Sequence, residues 1–279
     1  MKLLRVGPIG EERPAVLGDD GRLRDLSGVV PDVDAAFLAA GGLREIPAGL
    51  PVLEPDGLRI GAPVAHVGKV VCIGLNYRDH AAESGAQVPS EPVVFMKAAD
   101  TIVGPFDTVL IPRDSVKTDW EVELAVVIGR TAAYLGSDEE AKSCIAGYAI
   151  ANDVSEREFQ LERGGQWDKG KNCATFNPLG PWLVTADEIA DPQNLGLRLW
   201  VNGEPRQNGN TRDQVFGVYE VVRYLSRFMT LHPGDVINTG TPAGVALGRP
   251  EPKPYLRAGD VVELEIDGLG RQRQTFGAA

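Results

Sequence analysis

The sequence predicts an α+β fold in which strands dominate. Three observations carry this. Glycine and proline are abundant, 33 and 20 among 279 residues, and scattered along the chain, which is the punctuation of many short strands joined by turns. The most regular segments are strand-sized apolar or alternating runs at Lys69–Gly74, Glu121–Gly129, Gly147–Ala151 and Asp260–Asp267. Helical stripes interrupt these runs without the βαβα rhythm that a Rossmann fold or a TIM barrel would require.

Taken in order, the chain divides into a small unit, residues 1–65, and a larger one, residues 66–279. Arg13–Leu17 and Arg22–Leu26 flank Gly18-Asp19-Asp20-Gly21 and predict a hairpin with a turn-forming tip. Asp32–Ala40 reads as a short helix stopped by Gly41-Gly42. A passage through Pro47, Pro51, Pro55 and Pro63 leads to the larger unit near Gly68. There, residues 138–144 follow Ser137 as a helix with an acidic first turn, as the helix dipole favours. Ser155 and Glu158 have the spacing of a capping box and predict a helix ending at Gly164-Gly165; Thr185 and Glu188 repeat that spacing. Val218, Val221, Val222, Leu225, Phe228 and Met229 form the clearest helical stripe.

Composition excludes several classes. With 28 Lys+Arg against 39 Asp+Glu, the net charge of −11 opposes nucleic-acid binding, which needs a basic face to displace counterions. No run approaches the ~18 apolar residues of a membrane span, and charge and proline break the first 14 residues before a signal core forms. Cys72, Cys144 and Cys173 are widely spaced, odd in number and without a CxxC pair. They read as small core residues in a reducing cytoplasm.

Chemistry concentrates in a few places. On a strand, Glu121 and Glu123 share one face with Ala125 and Val127, so two carboxylates stand at the edge of a face that becomes buried. Asp153 follows the apolar run Gly147–Ala151. Three converging carboxylates without histidine or cysteine suit a hard cation such as Mg²⁺ or Mn²⁺; the competing reading is the solvated face of an edge strand. His80 and Glu83, at i and i+3, would make a general base if helical, or an ordinary surface pair. His66 and His232 lack such a partner and read as structural. Thr239-Gly240-Thr241 offers N–H and hydroxyl groups to an anion, or is a plain turn.

Together these pieces form an ordered set: G-x-N-Y-x-x-H-x-x-E from Gly74, E-x-E from Glu121, N-D-x-x-x-R-x-x-Q from Asn152, Lys171-Asn172, and P-G-D-x-I-x-T-G-T-P from Pro233. The set resembles the fumarylacetoacetate hydrolase family over about residues 68–270, with the leading residues similar to the small N-terminal domain many members carry. The resemblance implies a mixed β-sandwich roll with a small N-terminal α/β domain, a homodimer, and a Mg²⁺ or Mn²⁺ site held by Glu121, Glu123 and Asp153. It implies His80 and Glu83 as the water-activating dyad, Lys171 as the active-site lysine with Lys169 as its competitor, and Arg157, Gln160 and Thr241 as substrate contacts. The implied activity is C–C hydrolysis of a 2,4-dioxo acid to pyruvate and a carboxylic acid. The segment Arg163–Cys173 is similar to members acting on 2,4-diketo-3-deoxy sugar acids, which favours that substrate. Isomerases, decarboxylases and ureidoglycolate lyase-type members share the site, and a non-catalytic oxo-acid-binding paralogue is the alternative of another class.

Overall fold

The computed structural model describes residues 1–43, 45–54 and 56–279, so Pro55 of the connecting passage lies outside the described residues. Strands dominate among the described residues, and the two larger sheets, both mixed, share a core, while Thr118–Asp119 and Ser155–Glu156 form a separate two-stranded pair. The larger runs, in spatial order, Leu23–Asp25, Arg13–Leu17, Lys2–Val6, Asn177–Thr185, Ile145–Asn152, Val122–Ile128, Val236–Asn238, Val70–Gly74 and Val93–Lys97, with Ile102–Val103 paired to Asn177–Thr185 off this path. The smaller runs Glu204–Asn210, Gly196–Val201, Val261–Ile266, Gly270–Ala278 and Val109–Ile111.

Alternation explains the layering. Along the central strand, Val122, Leu124, Val126 and Ile128 point into the core shared with Leu197, Leu199, Val262, Leu264 and Phe276 of the smaller sheet. Ala125 and Val127 point the other way, into a second core with Leu3, Val16, Phe37 and Leu38. With both faces covered, the strand is buried throughout, as its nearly continuous apolar sequence requires. Lys2–Val6 pairs antiparallel with Asn177–Thr185, Leu3 opposite Leu183, so the leading residues extend the central sheet and complete its second face.

The hairpin forms with Arg13–Leu17 against Leu23–Asp25. The two short helices are Ala35–Ala39, capped by Asp34 on the Phe37 N–H at 2.8 Å, and Asp138–Ser143, capped by Ser137 on the Glu140 N–H at 3.2 Å. Three expectations need correction. Ser155 caps nothing: it lies in a buried two-residue strand, Ser155–Glu156, and its hydroxyl donates to the Asp153 carbonyl. The following segment is a single π-helical turn, Glu158–Glu162, and Glu156 supplies the carboxylate that accepts the Phe159 N–H. Thr185 likewise caps no helix; a 3₁₀ turn follows it, and its hydroxyl accepts from the N-terminal ammonium. The amphipathic helix stops at Leu225, which leaves Phe228 exposed against Tyr224. Among the described residues no helix is long and apolar enough to cross a membrane.

Gly147 marks the tightest point of the central sheet, between Val127 and Thr185. A Cβ there would lie 2.1 Å from the Val184 carbonyl oxygen, a backbone atom that cannot swing aside. Gly147→Ala is therefore expected to destabilise the fold by about 1–3 kcal/mol. Urea unfolding measures this; an unchanged midpoint would refute the packing argument.

Candidate active site

The register of two central strands assembles the acidic cluster. Ala151 lies opposite Glu123 and Asn152 opposite Val122, so the N-terminal end of Val122–Ile128 meets the C-terminal end of Ile145–Asn152. Asp153 donates its N–H to the Glu121 carbonyl at 3.0 Å, and the Asn152 side chain accepts the Glu121 N–H at 3.1 Å. Carboxylate oxygens of Glu121, Glu123 and Asp153 consequently lie within 4.8 Å of one another, all buried. The edge-strand reading of Glu121 and Glu123 fails, because the strand is central and the two side chains are only 4% and 2% exposed.

Buried cations surround this cluster. Lys171 Nζ donates to Glu121 Oε2 at 2.7 Å and Asp153 Oδ2 at 3.0 Å, while Lys97 Nζ donates to Asp153 Oδ1 and the Val154 carbonyl. Arg157 spreads its fork over Asp119 Oδ2 at 2.8 Å, Glu121 Oε1 at 2.7 Å and Gln160 Oε1 at 3.0 Å. Lys169 is turned outward, donating to the Arg163 carbonyl, so the geometry separates the two candidate lysines. Asn172 bonds the Met96 carbonyl and joins the turn bearing Lys171 to the strand bearing Lys97.

Four carboxylates (Asp119, Glu121, Glu123, Asp153) thus face three cations (Lys97, Arg157, Lys171) in one buried cluster. Burial works to raise the Glu121 carboxyl, but Lys171 and Arg157 outweigh it and hold the group down at about 2. Burial works to lower Lys171 and Arg157, and their carboxylate neighbours outweigh it and push both up. Glu123 goes the other way. Burial, then the Asp153 and Glu121 carboxylates, push it well above the usual range, and it makes no ion pair among the described residues. Its one firm partner is the Gly240 N–H at 2.7 Å. The surplus carboxylate and the all-oxygen donor set fit a divalent hard cation held by Glu121, Glu123 and Asp153.

The dyad arrives from the next strand. After Val70–Gly74, Asn76 braces the loop by bonding the Thr239 carbonyl at 2.8 Å and both backbone groups of Phe216. Helix Arg78–Glu83 follows, and His80 Nδ1 lies 2.9 Å from Glu83 Oε1. The other Glu83 oxygen accepts the Gly244 N–H at 2.9 Å. Gly244 has φ +112°, and a Cβ there would meet the Arg206 carbonyl oxygen at 2.1 Å, so only glycine delivers this N–H. With Nδ1–H donated to the carboxylate, Nε2 is left as the basic nitrogen. His80 is buried and is no surface pair.

The 239–241 loop binds an anion of the protein itself, the Glu123 carboxylate. Thr239 and Thr241 strap it to the central strand by donating to the Leu124 and Val122 carbonyls. Thr241 lines the cavity, but its hydroxyl also accepts from Gln207 and is committed to the scaffold. Sequence reasoning missed Asp119, Lys97, Phe95 and Trp167. Asp119 accepts Arg157 on one side and the Ala246 and Leu247 N–H groups on the other, tying the cation cluster to the loop that carries Gly244. Lys97 had a signal, a lysine ending the apolar run Val93–Met96. A cavity of about 180 Å³ opens over the cluster, lined by His80, Glu121, Glu123, Asp153, Arg157, Gln160, Lys171 and Thr241 together with an apolar wall. The buried Cys72 lies behind the cluster, and burial pushes its thiol up, which leaves it a packing residue.

Buried carboxylates, paired cations and the His80–Glu83 pair thus line one pocket at the end of a mixed sheet. Residues 69–277 match the family described as fumarylacetoacetate (FAA) hydrolase, C-terminal. A protein of Burkholderia lata provisionally named a hydrolase is 55% identical over 278 residues, 98% of each chain. Among solved structures, fumarylacetoacetate hydrolase from Exiguobacterium antarcticum is 36% identical with a TM-score of 0.89, covering 100% of both chains. A 2-hydroxyhepta-2,4-diene-1,7-dioate isomerase from Mycobacterium marinum is 33% identical, TM-score 0.79, over 100% of this chain and 98% of that one. Maleylpyruvate hydrolase from Sphingobium sp. SYK-6, solved with manganese(II) and pyruvate, is 28% identical, TM-score 0.82, over 100% of both. The chain belongs to the fumarylacetoacetate hydrolase family.

The charge imbalance sets a pH dependence. Glu123, raised in the fold, contributes stability below the ordinary carboxylate pKa and loses it as pH rises through its folded value. A dication must displace that proton, so Mg²⁺ affinity should rise with pH above the ordinary carboxylate range, with proton release; calorimetric titration showing a flat profile would contradict this. Glu123→Ala should weaken Mg²⁺ binding by more than about a hundred-fold, beyond the usual effect of an outer-shell change. Glu121 behaves oppositely: its stabilising contribution is present above pH 4.5 and lost as pH falls through about 2.

Proposed function

We propose that this chain hydrolyses a C–C bond of a 2,4-dioxo acid, releasing pyruvate and a carboxylic acid, with Mg²⁺ or Mn²⁺ at Glu121, Glu123 and Asp153. The observation that carries the reading is the dyad: His80, oriented by Glu83 at 2.9 Å, lines the same cavity as the three carboxylates. An oxo-acid-binding protein has no use for a buried, oriented base. The manganese and pyruvate bound to the maleylpyruvate hydrolase neighbour support the same reading.

When bound, the cation would supply positive charge to the carboxylate and 2-oxo oxygens of the substrate. The protein residues do the rest. Gln160 and the two unbonded N–H groups of Arg157 orient the acid. His80 Nε2 takes a proton from water as the oxygen attacks C4, and Glu83 steadies the imidazolium. The third N–H of Lys171 is available to the oxyanion that forms there. Collapse breaks the C3–C4 bond, its electron pair passes to C3 as an enolate, and the proton held on His80 returns to that carbon to give pyruvate. The carboxylic acid carries the oxygen of the water. An isomerase on this site would move the proton without the water, and the dienedioate isomerase neighbour makes that the competing outcome.

A coupled pyruvate-release assay over acylpyruvates and diketo sugar acids, with and without Mg²⁺, tests the proposal. Metal-dependent pyruvate is expected, and double-bond migration without pyruvate would instead establish the isomerase. His80→Ala should lower turnover by at least about a hundred-fold, the usual contribution of a general base, while Mg²⁺ titration stays within about two-fold of the parent. Full hydrolysis by His80→Ala would remove the dyad from the mechanism.

A further inference from the structure

The polar capacity of the cavity gathers around the acidic triad. Its lining cations, Arg157 and Lys171, each bond directly to Glu121, and Gln160 bonds Arg157, so every one sits within two hydrogen bonds of the acidic triad. Three of the five guanidinium N–H groups are engaged, as are two of the three on Lys171. What remains suffices for one carboxylate and its neighbouring oxo group.

The rest of the lining is largely apolar: Ile73, Leu75, Phe95, Leu161, Trp167 and Leu247. Phe95 and Trp167 meet edge to face at 5.6 Å, a preferred aromatic geometry. The Trp167 ring packs closely on Gly74, where a Cβ would come within 2.4 Å of it. The hydroxyls nearby are spent: Ser84 donates to the His80 and Ala81 carbonyls, and Thr241 to Val122. Among the described residues, the lysine and arginine lining the cavity are Lys171, whose ammonium stands 4.9 Å from the centre of the Phe95 ring, and Arg157.

A dianion would leave a second carboxylate buried on the aromatic wall without a partner, which is costly.

We propose that the substrate is a monocarboxylate, a dioxo acid whose uncharged tail beyond C4 packs on Trp167, Phe95 and Leu161, and that the site rejects dicarboxylates of equal length. This rests on the reading of the polar end given above as the site for a 2-oxo acid. The cavity of about 180 Å³ has room for roughly a dozen waters, so the tail is short.

The test is calorimetric binding to the Mn²⁺-loaded protein of 2-oxopentanoate and 2-oxoglutarate. These share length and head group and differ only in a terminal methyl or carboxylate. Neither has a 4-oxo group, so neither is cleaved, and the result is independent of whether the chain hydrolyses anything. The methyl compound should bind at least about ten-fold tighter, the scale of one stranded polar group. Equal affinities, tighter 2-oxoglutarate, or no binding of either would overturn the proposal. Leu161→Lys places an ammonium at a position 43% exposed, where folding tolerates it. It should narrow the ratio at least about three-fold, and an unchanged ratio would show that this wall does not meet the tail. Absence of pyruvate from every dioxo acid, with the binding ratio intact, would sink the hydrolase and spare the tail assignment.

Discussion

Glu123 is a carboxylate that the fold buries, places within 4.8 Å of two others, and leaves without an ion-pair partner among the described residues. A carboxylate in that position is tolerated only if something else balances it, because isolated buried charge is far too costly to keep. The surrounding structure can be read as a set of responses to that constraint. Gly240 donates its N–H to one oxygen, the 239–241 loop is strapped to the strand by two threonine hydroxyls, and the neighbouring carboxylates are neutralised by lysines and an arginine so that Glu123 alone carries the excess. Each of these cations is itself buried, and Arg157 and Lys171 each bond two of the carboxylates, so the cluster is one connected network and not a set of separate pairs.

The same bonding joins the acidic cluster to the dyad. Glu121 is held by Arg157, Arg157 by Asp119, and Asp119 also accepts the Ala246 and Leu247 N–H groups. That loop begins at Gly244, whose N–H holds Glu83, which orients His80. The base and the cation ligands come from separate strands, yet a continuous line of hydrogen bonds fixes one relative to the other. Gly248 packs so closely on Glu83 that a Cβ would lie 2.5 Å from its carboxylate, so the loop and the helix interlock sterically as well. Orientation at this level is what general-base catalysis requires, because the attacking water and the acceptor carbonyl must meet in one geometry.

Much of this was legible in the sequence, and what was not has physical reasons. Period-two alternation in Val122–Ile128 gave the face of Glu123, because the strand obeys a local rule. The convergence of Asp153 on that face depends on register between Ile145–Asn152 and Val122–Ile128, a pairing that no local pattern specifies. The spacing of His80 and Glu83 fixed their contact through helix geometry, while Gly244, which completes it, stands 161 residues from Glu83. The capping-box reading at Ser155 failed for a similar reason. Ser155 was drawn into a strand against Asp119, and tertiary pairing overrode the local motif. Asp119 and Lys97 went unread because a lone charge next to an apolar run is common on surfaces, and only the three-dimensional cluster reveals their partners.

The apolar wall completes the logic of the cluster. Beyond the charged groups the lining is apolar, with Trp167, Phe95 and Leu247 contributing to it and the nearby hydroxyls of Ser84 and Thr241 already bonded. Trp167 packs closely on Gly74, where a Cβ would collide with it, and Gly74 is also the point where the chain leaves its strand for the loop and helix that deliver His80. One glycine therefore serves both halves of recognition, admitting the aromatic ring that meets the tail and releasing the chain that carries the base. Electrostatics at the triad decides what the head of a ligand can be, and packing around Gly74 decides what can follow it.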